Sequence, residues 1–331
     1  MLISQNIVPH SSAMHCIQCK SRIIKHTVVV KPLQPLRFTV FPTRICTLNL
    51  NSFNPLFTRT WRDIYMSCNY SAREIQEAQN VVATFKYKPK PAVKGYTGEA
   101  LRVDLTNYSF KIIPITEEIK MKFTGGKGFD LWLLWNEVNG DTKWDSPENG
   151  ICISCGPLGG TPSFPGTGKS IVTTISPTTG SVIDSNVGGH FGPLLKFSGF
   201  DAMVVVGKQE ARDHVVYIDG DKGIVQIVRN EKLGVNSHIV ANQLAELYSY
   251  NEEDKRNVSS VSAGTGADHC WIGCLNFSWW DWRKEHMRLK QAGRGGSGTV
   301  FRGKGLVALV ARTSDSRPVW QHTGGGDTHA N

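Results

Sequence analysis

A chain of 331 residues with 40% hydrophobic and 20% charged side chains holds enough apolar mass for one large domain or two ordinary ones, which excludes a wholly disordered polymer. No apolar run reaches the roughly 18 residues that a membrane-spanning helix needs. The net charge of +9 is unevenly placed: residues 1–94 carry 13 basic and 3 acidic side chains, so the remainder stands at −1 and its charge points to no nucleic-acid surface.

Residues 1–94 therefore read as a basic, acid-poor leader. Up to Arg62 it has eight basic residues and no acidic ones, with frequent Ser, Thr, Pro and Asn and no sustained helical period. That composition suits an organelle transit peptide, but the amphipathic helix of one is missing. A disordered arm, or translated upstream sequence with Met66 as the true start, stays open beside it. Cys16 and Cys19 form a C-x-x-C pair without a second pair to complete a zinc site, so they read as free thiols. The other cysteines are Cys46, Cys68, Cys152, Cys155, Cys270 and Cys274. Eight in a chain of this length do not make a disulfide framework, which points to a reducing compartment, the cytoplasm.

From Gly95 the pattern changes. Leu101–Leu105 alternates as a strand, Asn107-Tyr108 reads as a turn, and Ser109–Ile115 as the returning strand of a hairpin. Thr116 followed by Glu117 and Glu118 opens a helix that ends at Gly125-Gly126. A second helix is expected over Phe129–Val138, burying Leu131, Leu134, Trp135 and Val138. Ile171–Ile175, Met203–Val206, Val215–Ile218, Ile224–Val228, Val258–Val261 and Leu306–Val310 read as strands, and Ile239–Tyr248 as a helix. The class is α+β: a β-dominated domain with interspersed helices, spanning residues 95–312 and followed by a polar, Gly-rich tail, 313–331, read as disordered.

Five glycine-rich loops punctuate these strands: Gly125–Gly128, Gly156–Pro162, Gly166–Ser170, Asn186–His190 and Gly293–Gly298. Without a Cβ, glycine lets backbone amides approach an anionic or planar ligand. Two loops imitate nucleotide motifs. Gly168-Lys169-Ser170 resembles the end of a P-loop, but Ser163 stands where its first glycine belongs and a β-branched run follows where a helix should. Gly293–Gly298 satisfies G-x-G-x-x-G, but Thr299–Gly303 behind it reads as leaving no room for a helix, and Ser314 and Asp315, near the dinucleotide spacing, sit in a polar tail. Asn186-Val187-Gly188-Gly189 precedes the apolar-periodic stretch His190–Phe197; a helix opening there aims free amides at an anion, which makes it the best phosphate site in the chain on physical grounds.

Taken in order, Gly95-Tyr96-Thr97-Gly98, Leu101–Thr106, Ser146-Pro147-Glu148-Asn149, Gly156–Pro162, Ser176–Gly180, Asp184–Gly189, Phe191-Gly192-Pro193 and Ala292–Gly296 resemble the N-terminal domain of the aldehyde:ferredoxin oxidoreductases. The resemblance implies a two-layer β domain that forms the base for a bis-pyranopterin tungsten (or molybdenum) cofactor, the tungstopterin or molybdopterin, with a bridging magnesium. It implies oxidation of small aldehydes to carboxylic acids, with electrons passing through a [4Fe-4S] cluster to ferredoxin or an iron–sulfur partner subunit. It places Asn186, Gly188 and Gly189 on one pterin or its phosphate-bridging magnesium, and Lys290, Gln291, Gly293 and Arg294 on the second. Lys169 stands where family members carry an arginine between pterin and cluster, so charge is kept but a bidentate fork is not. The family's cluster ligands, a C-x-x-C-x-x-x-C run and one distant cysteine, follow this domain. Their absence here implies a part of the enzyme that is inactive alone; a binding-only or non-catalytic remnant is the alternative.

The remaining candidates carry no matched family role. Cys152 and Cys155, on a strand before Gly156, and Cys270 and Cys274, flanking an apolar strand, read as small buried hydrophobes. His190, His269, Glu285 and His286 are local acid–base candidates. Trp271, Trp279, Trp280 and Trp282 read as a packing cluster at a sheet edge, with an aromatic wall beside a pterin as the other reading.

Overall fold

The computed structural model describes residues 70–161 and 166–314; the leader up to residue 69, with Cys16, Cys19, Cys46 and Cys68, then residues 162–165 and the tail from residue 315 lie outside them. Two β-sheets face each other. The smaller takes β2 (Glu99–Asp104), β3 (Ser109–Pro114), β4 (Ile151–Ser154), β5 (Ser170–Ile175), β6 (Val182–Val187) and β7 (Ala202–Val206) in the order β3-β2-β7-β4-β5-β6. The larger takes β1 (Asn80–Lys86), β8 (His214–Asp219), β9 (Ile224–Arg229), β10 (Val258–Ser262), β11 (Leu275–Asp281), β12 (His286–Ala292) and β13 (Leu306–Arg312) in the order β1-β9-β8-β13-β10-β11-β12. Among the described residues only the β2–β7 and β8–β13 neighbours are parallel. The expected β-dominated α+β architecture with two β layers is the one observed.

Period-two alternation divides the apolar residues between layers. Leu101, Val103, Met203 and Val205 of the smaller sheet meet Val216, Ile218, Phe277 and Leu309 of the larger in one central core. Their neighbours point outward and are covered as well. Ala100, Cys152, Ala202 and Val204 pack under α3 (Lys127–Trp135). Val215, Tyr217, Ala308 and Val310 pack under α5 (Ser237–Tyr248). Strands covered on both faces read as continuous apolar runs, which is why β7 and β13 are buried throughout. The short helix α4 (Phe191–Phe197) enters the central core through Phe191, Leu194 and Leu195.

Several sequence expectations need correction. Ordered structure begins upstream of Gly95: α1 (Ala72–Glu77) carries a Ser71–Glu74 capping box, and β1 pairs antiparallel with β9. The helix begun by Thr116 is α2 (Glu117–Phe123), as expected. The next helix starts and ends earlier than expected and buries a different face. Phe129, Asp130, Leu133 and Leu134 lie against the sheet, while Leu131 is 38% and Trp135 81% exposed. The glycine run that seemed to leave no room does open a helix, α6 (Ser297–Gly303), because its first turn starts inside the run, behind a left-handed Gly296. Val300 and Phe301 of that turn fill the central core, and burial outweighs their modest helix propensity. Between Cys270 and Cys274 there is an exposed loop with Trp271 and Ile272 at its surface, and the strand begins only at Leu275.

Candidate functional site

The two sheets meet along strands that end them: β6 closes the smaller sheet and β12 the larger. The loops following these strands make a common lip. A Cβ on Gly188 would sit 3.6 Å from the Lys290 side chain. The Arg294 amide donates to Ser185 Oγ at 3.2 Å, tying the loop after β12 to β6. On the other side, a Cβ on Gly168 would meet the Gly189 carbonyl at 2.8 Å, so the loop carrying Lys169 lies against the end of β6. Lys169, Asn186, Gly188, Gly189, Lys290, Gly293 and Arg294 are thus brought together, and Gln291 on β12 donates to Asn276 at 3.4 Å beside them. A cleft of about 780 Å³ opens next to the lip, lined by Gly166, Thr167, Gly168, His190, Pro193 and Leu194 among others.

Charge at the lip is one-sided. Lys169, Lys290 and Arg294 are exposed, and none of the ion pairs among the described residues includes them. The ion pair of Lys127 with Asp184, 2.6 Å, straps the first residue of α3 to β6.

The glycines divide into two groups. Gly189, at φ +112° with Phe277 Cβ 3.2 Å from where its own Cβ would be, is required by backbone and packing. Gly296, at φ +71° against the Trp271 carbonyl, is required likewise. Gly188 and Gly293 are not. Neither has a positive φ; a Cβ on Gly188 would make only ordinary contact with Lys290, and one on Gly293 would meet nothing within 4 Å. Internal structure does not call for glycine at these two positions, but a ligand lying close against the backbone would. Open backbone beside three unpaired cations suits a large anionic group held by amides and phosphate contacts.

Residues that the sequence reading passed over hold the surrounding loops. Lys196, on α4, is almost fully buried, and its Nζ donates to the Gly95 carbonyl at 2.8 Å and the Gly156 carbonyl at 2.6 Å. Asp201 stands 4.0 Å away and accepts from the Thr97 and Gly98 amides. Burial pushes the Asp201 carboxyl above its usual range, against the pull of Lys196 and the two amides. A lysine inside the apolar stretch Leu194–Phe197 was the available signal for this staple. The four acid–base candidates are not assembled. His190 lines the cleft against Trp279 (6.1 Å between rings), His269 ends a 3₁₀ turn, and Glu285 and His286 sit at the β11–β12 turn. Among the described residues no three His, Cys, Asp or Glu side chains are grouped to hold a metal ion. Cys152 and Cys155 are buried, and burial raises both thiols, whereas Cys270 and Cys274 are only half-buried. The tryptophans form no single cluster: Trp271 and Trp282 are exposed, while Trp279 and Trp280 lie on opposite faces of β11.

The nucleotide-fold alternatives fail on topology. Ser170 runs straight into β5, so no helix follows Lys169. The strand before Gly293 pairs only antiparallel, with β11, so the helix behind it is not part of a parallel βαβ unit.

The family described as aldehyde ferredoxin oxidoreductase, N-terminal domain, matches residues 100–313. The chain belongs to this family. A tungsten-containing aldehyde ferredoxin oxidoreductase of Pyrococcus horikoshii is 35% identical over 220 residues, covering 66% of this chain and 33% of that protein. Its counterpart in Pyrococcus furiosus is 31% identical over 231 residues, covering 68% and 34%. The chain therefore spans about a third of the length of these relatives. Among solved structures, the active site complex BamBC of benzoyl coenzyme A reductase, in complex with 1,5-dienoyl-CoA, superposes with a TM-score of 0.56 at 29% identity. That match covers 66% of this chain and 31% of the other.

Proposed function

We propose that this chain is the cofactor-binding part of an oxidoreductase that converts aldehydes to carboxylic acids. The cofactor is a tungsten (or molybdenum) bis-pyranopterin with a bridging magnesium. Electrons leave through a [4Fe-4S] cluster, whose ligands follow this domain in the family, to ferredoxin or an iron–sulfur partner subunit. When bound, the cofactor supplies two-electron chemistry at a metal held by dithiolene sulfurs. The task left to these residues is to bind and orient it. The amides around Gly188 and Gly189, with Asn186, take one pterin and its phosphate, and Lys290, Gln291, Gly293 and Arg294 take the other. Lys169 supplies a point charge between pterin and cluster, where a guanidinium would supply a fork.

The observation that carries this reading is the pair of glycines, Gly188 and Gly293, that neither backbone strain nor packing explains, set among cations without acidic partners. The test is metal and pterin analysis of the purified chain. Tungsten or molybdenum together with pterin is expected; a chain carrying neither refutes the reading. In a second arm, Gly293→Val should fold and melt like the parent yet lose most of the bound metal, because its new side chain meets only the ligand.

A further inference from the structure

We propose that the turn and outer edge of the β11–β12 hairpin form a docking surface for a small acidic iron–sulfur protein, the electron acceptor of the reading above, on which this inference rests. Between Trp282 and Arg288 the hairpin carries Arg283, Lys284 and Arg288 against one acid, Glu285, on a body whose net charge is −1, and these three are apart from Lys290 and Arg294, which the reading above gives to the cofactor. All three cations are exposed, and β12 ends its sheet. Trp282 at the turn is 72% exposed, with the Arg283 guanidinium 5.1 Å over its ring. Further along, Arg288 lies 5.6 Å over Trp279, whose other neighbour is His190 at the cleft.

A row of cations on an edge strand can serve simply to block edge-to-edge pairing. That role does not need an indole held out at the turn. An exposed aromatic anchor ringed by arginine and lysine is instead the composition of a protein-interface centre and its rim. Nucleic acid would want positive charge continued along a groove, and here Asp281, paired with Arg288 at 3.3 Å, and Glu285 interrupt it. Position also fits. Arg288 is about 7 Å along the strand from Lys290 at the cofactor lip, so a partner seated on the hairpin abuts the platform.

The test is binding of the full chain to an acidic [4Fe-4S] ferredoxin, followed by calorimetry at low and high salt. The parent should bind, and more weakly as salt rises. The double variant Arg283→Glu/Arg288→Glu, and Trp282→Ala alone, should each bind at least about tenfold more weakly, while Lys122→Glu on α2 binds like the parent. If the double variant does not fold, Lys284→Glu at the turn tests the same charge. A parent that binds no ferredoxin, hairpin variants that bind like the parent, or tighter retention of RNA or DNA than of ferredoxin would each overturn the proposal. Metal and pterin content of the same samples keeps the two readings apart: loaded protein without ferredoxin binding refutes the docking surface alone, and unloaded protein refutes the platform.

Discussion

Individual residues at and behind the lip differ in what the fold itself requires of them. Gly293 faces open space and Gly188 meets only Lys290 at ordinary contact distance, whereas Gly189 and Gly296 are trapped by strain and contact. Gly296→Ala should therefore cost about 2 kcal/mol or more in a urea denaturation series, because both the left-handed backbone and the Trp271 carbonyl oppose a Cβ. The Lys196 staple works by charge and hydrogen bonding together. Replacing it with Met leaves two carbonyls without their donor and a buried Asp201 without its counter-charge, and a loss of about 3–5 kcal/mol is expected by the same measurement. Lys304 behaves differently. It is buried, donates to the carbonyls of Pro147 and Gly207 at 3.1 Å each, and is pushed down to about 7 by burial. Its ammonium costs stability in full below pH 7. Above that the folded chain sheds the proton while the unfolded chain keeps it, so stability should rise from pH 7 towards 10. The rise is at most about 1.4 kcal/mol per pH unit. Urea midpoints at pH 7 and pH 9 check this; a midpoint that does not rise, or one that rises equally in Lys304→Met, refutes it.

Whole elements show where sequence periodicity was sufficient. The β2–β3 hairpin, α2 and most of the central strands were legible, because alternating or continuous apolar runs between turn residues leave one reading. The phase of α3 was not. Leu131, Leu134, Trp135 and Val138 also fit a helical stripe, and nothing local says that the sheet instead takes Phe129, Leu133 and Leu134. Trp135→Gln should accordingly leave the melting temperature within a degree or two, and Leu133→Ala should lower stability by about 2–5 kcal/mol. The reverse ranking would contradict the packing. The Ser71–Glu74 capping box was visible, but the surrounding basic composition hid it. At the lip the residues were legible only as a set. The loops come from distant parts of the chain, and their contact depends on sheet pairing that no local pattern encodes. Lys196 and Asp201 went unread because their importance lies in what they reach, not in their spacing.

At the scale of the whole molecule, two sheets close on each other at both ends. Phe85 of β1 packs on Phe110 of β3 at one end, and β6 lies beside β12 at the other. The strand order of the larger sheet has a temporal consequence. Among the described residues its β1-β9-β8 half and its β10-β11-β12 half are joined through β13, the thirteenth of the described strands. During synthesis the β12 side of the lip can be made as a hairpin, yet it cannot be held opposite β6 through the sheet until Leu306–Arg312 has threaded between β8 and β10. Any group that spans both sides of the lip therefore depends on β13 as much as on the loops that touch it.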